Sequence, residues 1–221
     1  MNRFRAVLFD LDGTLLDTIG DIADAGNGAL AALGFPGHGE KAYMRFVGKG
    51  IDDLIRRALP PANRDAATVA RGVDEMRRRY TLDRLVKTRP YPGIPELLDR
   101  LASDGYRMAV VSNKPDPSTR EIVAAKLPKW RFARVLGGRP GVPLKPDPAA
   151  VLEVAAGLGI PPREFACLGD SGIDMETARA AGMYPVGALW GFRTADELRD
   201  HGAAALIEGP WAFPGVLRGS G

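Results

Sequence analysis

The sequence predicts an α/β fold, a doubly wound parallel sheet interrupted after its first strand by an all-helical insertion. Three observations carry this. An unbroken apolar run, Ala6-Val7-Leu8-Phe9, stands near the start, and such runs mark strands buried on both faces. Between about Thr18 and Val86 the apolar spacing is helical throughout. From Pro90 onward helical and strand patterns alternate, as βα units of a parallel sheet do.

Taken in order, the first strand covers about 4–11 and is closed by Asp-Leu-Asp-Gly. Ile22, Ala25, Ala29, Leu30 and Leu33 then share one helical face, and Gly34 stops that helix. Ile51, Leu54, Ile55 and Ala58 form a second stripe, ended by Pro60-Pro61. Val69, Val73, Met76 and Tyr80 form a longer one, weakened by Gly72. Past Pro90, Ile94, Leu97, Leu98 and Leu101 define a helix that ends at Asp104-Gly105, before a strand at 108–111. A helix near 118–126 and a short strand at Val135-Leu136 follow. Val151, Val154, Ala155 and Leu158 mark another helix, then a strand covers 165–168, with further strands at 186–189 and 204–207.

Composition narrows the class. A chain of 221 residues suits one large domain, or one domain with a modest insertion, and buries roughly 70–75% of its unfolded surface. With 45% hydrophobic and 26% charged residues, it is not a disordered chain. No apolar run approaches the roughly 20 residues of a membrane span. Asp10 and Asp12 interrupt what would be a signal-peptide core behind Arg3 and Arg5. A cytoplasmic protein without a membrane partner is expected. The single cysteine, Cys167, forbids an internal disulfide and cannot alone build a zinc site. It lies within a strand pattern and reads as a small core hydrophobe. A net charge of +3 offers no basic stripe, so no nucleic-acid partner is expected. Arg77-Arg78-Arg79, beside Asp74 and Glu75, reads as a solvated helix face. The slight positive bias suits a small anionic substrate.

In open α/β sheets, ligands bind at the carboxyl ends of the strands. Those ends carry Asp10 and Asp12, Ser112 and Asn113, and Asp170 with Asp174 close behind, while Lys145 lies in a loop between them. Carboxylates gathered at one edge repel each other by roughly 4 kcal/mol per pair at 4 Å and an effective dielectric near 20. A hard dication removes that conflict, and oxygen ligands suit Mg²⁺. Residues i and i+2 of an extended chain point the same way, so Asp10 and Asp12 flank one substrate. A metal-bound Asp10 can attack phosphorus, and Asp12 can donate a proton and later take one from water. Gly13 permits the tight exit from the strand. Phosphoryl transfer also needs donors around the equatorial oxygens; Ser112 offers a hydroxyl, Asn113 a backbone N–H and Lys145 a charge. His38 and His201 have no metal-like partner in the sequence and read as loop histidines. Trp190-Gly191-Phe192 reads as core packing or a site border, and Gly137-Gly138 is too short to argue a dinucleotide site.

Asp10-Leu11-Asp12-Gly13-Thr14, Ser112-Asn113-Lys114-Pro115, Lys145-Pro146-Asp147-Pro148 and Gly169-Asp170-Ser171-Gly172-Ile173-Asp174 resemble the four motifs of the haloacid-dehalogenase-like hydrolases. The resemblance covers essentially the whole chain. It implies a Rossmann-like core at 1–17 and 88–221 with a helical cap at 18–87. It implies Asp10 as nucleophile and Asp12 as acid/base. Asp10, Asp170 and the backbone carbonyl of Asp12 would bind Mg²⁺, with Asp174 behind them orienting Lys145 or a metal water. Ser112 and Lys145 would hold the phosphoryl group, and Thr14 and Asn113 complete the expected substrate set. Val47-Gly48-Lys49-Gly50, Ser112-Asn113-Lys114-Pro115 and Ala178-Arg179-Ala180-Ala181-Gly182 are most similar to phosphoglycolate phosphatases. The expectation is a Mg²⁺-dependent phosphatase of a small phosphorylated metabolite, most readily 2-phosphoglycolate, acting as a monomer or homodimer. Gly48-Lys49-Gly50 precedes a helix whose positive end, with Lys49, could receive the substrate carboxylate. The alternatives are a phosphomutase, a phosphonatase, a phosphatase of sugar phosphates or pyrophosphate, and a non-catalytic phosphometabolite binder. A dehalogenase has no need of a proton donor at Asp12.

Overall fold

A computed structural model describes residues 3–219. In chain order the elements are β1 (Ala6–Phe9), β2 (Leu16–Asp17), α1 (Ile19–Ala32), α2 (Glu40–Phe46), α3 (Ile51–Ala58), α4 (Ala66–Asp83) and β3 (Arg89–Pro90). They continue with α5 (Ile94–Ser103), β4 (Arg107–Pro115), α6 (Asp116–Lys126), β5 (Arg134–Gly138), α7 (Ala149–Leu158) and β6 (Phe165–Gly169). The last are α8 (Gly172–Ala180), β7 (Tyr184–Ala188), α9 (Ala195–Asp200), β8 (Ala205–Ile207) and α10 (Phe213–Arg218). The chain divides into two compact units, one of Met1–Leu16 with Pro90–Gly221, the other of Asp17–Arg89. No helix among the described residues is long and apolar enough to cross a membrane.

The first unit is built on a six-stranded parallel sheet of order β5-β4-β1-β6-β7-β8, the α/β architecture that the alternation of patterns predicts. The apolar run of β1 is buried along its whole length because it lies between two neighbours. Phe9 stands opposite Val110 of β4 on one side and Leu168 of β6 on the other. The strand order reverses about β1, and such switch points open the crevice in which α/β proteins bind ligands. Residue 10 therefore emerges at the centre of the sheet's carboxyl edge. Leu8, Ala109, Val111, Val151, Val154, Phe165 and Cys167 belong to one buried cluster beneath that edge.

Two differences from the sequence reading bear on the site. The strand expected at 108–111 runs on through Ser112, Asn113 and Lys114 to Pro115, because β5 continues to pair with it across an irregularity between Val111 and Pro115. The tail beyond Trp211 forms α10, in which Phe213 and Leu217 are buried and the Phe213 ring lies 6.4 Å from that of Phe9. Proline in the first turn of so short a helix costs no hydrogen bond, so its presence there conceals the element rather than breaking it.

The second unit is helical apart from the short strand ends that lead into and out of it. Gly72 sits within α4, where a Cβ would come within 2.8 Å of Ile55 Cγ2. The residue that weakens the helix pattern is the one that lets α3 approach. α2, too short for the sequence pattern to declare it, brings buried Tyr43 to α1, where the phenol donates to Asn27 Oδ1 at 2.9 Å. His38 is tied to the Ala58 carbonyl at 2.7 Å. Buried Asp21 accepts from the backbone N–H groups of Lys87 and Thr88 at 2.8 and 2.9 Å, fastening the returning chain to α1.

Candidate active site

Asp10 follows directly on β1, and its backbone N–H donates to the Leu168 carbonyl, so the sheet itself fixes its position. Asp170 follows directly on β6, and Asp174 lies in the first turn of α8. Carboxylate oxygens of Asp10, Asp170 and Asp174 lie within 4.8 Å of one another, all three residues buried. The sequence predicted this convergence, and Asp12, Ser112, Asn113, Lys114 and Lys145 are buried in the same unit.

Lys145 holds the cluster together. Its ammonium donates to Asp10 Oδ1 at 2.7 Å, Asp174 Oδ1 at 2.6 Å and the Val111 carbonyl at 3.0 Å. Those three bonds use its three protons, so in this structure Lys145 faces the carboxylates rather than an open phosphoryl position. Burial alone disfavours the ammonium, yet Asp10 and Asp174 outweigh it and raise its pKa above the ordinary lysine value. Asn113, expected to serve through its backbone N–H, has a further part for its side chain. Its side chain donates to the Lys145 carbonyl at 2.9 Å and accepts from the Lys145 N–H at 2.8 Å, which anchors the loop that presents the lysine. Thr14, expected on the substrate, is fully buried and donates to Asp170 Oδ1 at 3.3 Å. Ser112 Oγ accepts from the Lys114 N–H at 3.2 Å.

Glycines make room for the acids. Gly13 has φ +90°, and a Cβ there would lie 2.3 Å from Asp170 Oδ2. A Cβ at Gly191 would lie 2.2 Å from the Asp170 Cβ. Trp190-Gly191-Phe192 is therefore a wall of the site, and the Phe192 N–H donates to Asp170 Oδ2 at 2.7 Å while the Trp190 indole donates to the Thr14 carbonyl at 3.0 Å. Asp174 is the third residue of α8 and closes a capping box with Ser171, so its Oδ2 is anchored by the helix start while Oδ1 takes Lys145.

The sequence reading gave Lys114 no role. The structure places its ammonium 2.8 and 2.7 Å from the two oxygens of Asp12. Period-two alternation along the extended end of β4 sends 112 and 114 to one side and 113 to the other, as the contacts show. The signal was present in Ser112-Asn113-Lys114, had the strand been carried past residue 111. Lys49 lies in the second unit, exposed, in the turn between α2 and α3. His201 pairs with Glu176 at 2.7 Å, and Cys167 is buried with its thiol pKa pushed up by burial, so neither joins the acid cluster.

The donor set fits a hard divalent cation. Four buried carboxyl groups, Asp10, Asp12, Asp170 and Asp174, face two buried ammonium groups, Lys114 and Lys145, which leaves two negative charges over once all four acids are ionised. All the acidic donors are oxygens, the choice of Mg²⁺ and its kind. Burial is the largest influence on Asp10 and, with Asp174 and Asp12 adding and Lys145 opposing, its pKa is pushed up to about 7. Asp170 is raised well above the carboxylate range by burial, then by Asp10 and Asp174. An unfolded aspartate ionises near pH 4, so these two groups stabilise the cation-free fold most below that pH. Their contribution is lost as pH rises through the folded values. The melting temperature of cation-free protein is therefore expected to fall between about pH 5 and pH 8. Added Mg²⁺ should raise it more at the higher pH; equal shifts at both would contradict the assignment.

Known proteins share this sequence pattern and this fold. The family described as haloacid dehalogenase-like hydrolase matches residues 4–182. The phosphoglycolate phosphatase of Pseudomonas syringae pv. tomato is 34% identical over 214 residues, spanning 92% of this chain and 76% of the relative. That of Aquifex aeolicus is 34% identical over 188 residues, 85% of this chain and 86% of its own length. A solved structure from Lactobacillus delbrueckii subsp. bulgaricus, itself a proposed phosphoglycolate phosphatase, superposes with a TM-score of 0.92 at 29% identity, covering 99% of this chain and 100% of that one.

Proposed function

Because the chain belongs to the haloacid dehalogenase-like hydrolases, we propose that it is a Mg²⁺-dependent phosphatase of a small carboxylated phosphate ester, 2-phosphoglycolate foremost, working through an aspartyl phosphate on Asp10. The observation that carries this is the state of the Asp10 carboxylate. It is buried, one oxygen is anchored by Lys145, and the other accepts from none of the described residues. Such a group is rigid, desolvated and open on one side, as a nucleophile requires.

In this reading Asp10 Oδ2 attacks phosphorus and the bond to the ester oxygen breaks. Asp12, protonated when the ester is bound, gives that proton to the departing oxygen and is left as the carboxylate. Water then attacks the aspartyl phosphate, Asp12 takes a proton from it, and breakage of the bond to Asp10 releases inorganic phosphate. Ser112 donates its hydroxyl to an equatorial oxygen. Lys145 favours the ionised form of Asp10 against its burial and aims it, with Asp174 and Asn113 fixing the lysine. Asp10, Asp170 and the Asp12 carbonyl would hold the cation, which when bound offsets the charge of these acids and of the phosphoryl oxygens. The helical second unit is read as the cap that shields the reaction from bulk water and selects the substrate.

Similarity to enzymes acting on phosphoglycolate supports that substrate, and Lys49 is the residue assigned to its carboxylate. Gly48 and Gly50 on either side have φ +134° and +88°, a backbone that only glycine adopts freely and that turns the chain into α3. Lys49→Ala is expected to raise KM for 2-phosphoglycolate about tenfold, as loss of one charge-assisted hydrogen bond does. KM for ethyl phosphate should stay close to its original value. Comparable changes for both esters would remove Lys49 from recognition. The whole assignment is tested by phosphate release from a panel of monoesters with and without Mg²⁺, together with acid trapping of phosphate on Asp10. Absence of release from every ester in the presence of Mg²⁺ would overturn it.

A further inference from the structure

Two acids of the site are met by different lysines, each brought from a different stretch of chain. Asp10 has Lys145. Asp12 has Lys114, whose ammonium bridges both carboxylate oxygens at 2.8 and 2.7 Å, with side-chain exposures of 6% for the lysine and 9% for the acid. We propose that Lys114 is the positioning residue of the leaving-group step, fixing the plane and reach of the Asp12 carboxylate so that it meets the ester oxygen. The inference rests on the acid/base role given to Asp12 above.

The physical need is plain. Asp12 sits in the turn after β1, two residues beyond Asp10, which clusters with two further buried carboxylates. With no cation of its own, its side chain would be driven outward by like charge. A proton donor works only within hydrogen-bond reach of the atom it serves, and a displacement of about 1 Å costs on the order of 100-fold. Lys114 comes from β4, whose backbone is held by β5 through Pro115 and Gly138, and its carbonyl accepts from buried Thr119 at 3.1 Å. The lysine therefore starts from a rigid base, and two bonds to one carboxylate fix an orientation that one bond leaves free.

The test compares substrates that differ in their need for a proton. The alkoxide of 2-phosphoglycolate leaves only when protonated, whereas acetate leaves acetyl phosphate unaided, and kcat/KM reports the steps through departure of the leaving group. Lys114→Met is expected to lower kcat/KM for 2-phosphoglycolate by about 100-fold or more beyond its effect on acetyl phosphate. Lys114→Arg, which keeps the charge, should show the same bias to a smaller degree, and it serves in place of the methionine variant should that one not fold. Equal losses on both substrates in whichever variant folds would overturn the proposal. Asp12→Asn in the same assay separates the two levels. If it discriminates between the substrates while the Lys114 variants do not, the acid/base reading stands and the positioning role falls. If Asp12→Asn itself fails to discriminate, both fall.

Discussion

Asp10→Asn is expected to abolish turnover, lowering kcat by about 10⁴-fold or more, and to leave the protein folded. The amide fills the same volume, but its oxygen does not attack phosphorus. Burial opposes ionisation of Asp10, so a neutral amide suits the site at least as well when no cation is bound. Lys145 keeps Asp174 and the Val111 carbonyl as acceptors. Phosphate release from 2-phosphoglycolate and thermal denaturation, measured on the same sample, decide the matter. More than about 1% residual kcat in a well-folded variant removes Asp10 as nucleophile.

Lys145→Met should damage stability as well as rate. The substitution leaves Asp10 and Asp174 buried without their shared cation, and breaking a buried ion pair from one side costs about 3–5 kcal/mol. For a chain of this size that corresponds to a fall of roughly 6–20 °C in melting temperature. Mg²⁺ should recover part of the loss, because it offsets the same acids, while kcat stays low because Asp10 is no longer aimed. Unchanged melting behaviour would mean that Lys145 is not the residue that gathers the site.

These expectations draw on features that differ in how openly the sequence shows them. Asp10, Asp12, Asp170 and Asp174 could be read from strand ends because parallel strands expose their carboxyl termini at one edge. The partners of the acids could not. Thr14 on Asp170, Asn113 on the Lys145 backbone and Lys114 on Asp12 are contacts across 156, 32 and 102 positions of sequence, and local pattern carries no trace of such pairing. Gly191 is one residue among many glycines until Asp170 is seen against it. α2, α9 and α10 are each seven residues or fewer, about two turns, too short for a 3.6-residue period to repeat. β4 was cut short for the opposite reason, since its last residues are polar and serve the site rather than the core.

The order of the strands also governs how the protein comes into being. The segment bearing the proposed nucleophile precedes both of its partners along the chain: Ala6 finds one neighbour at Arg107 and the other at Phe165. Until synthesis has passed Phe165, a greasy tetrapeptide waits with at least one unsatisfied backbone edge, the kind of surface on which nascent chains associate wrongly. Slow, long-range closure is the expected folding regime, and a transcript truncated before Phe165 yields an aggregation-prone product rather than a weakened enzyme.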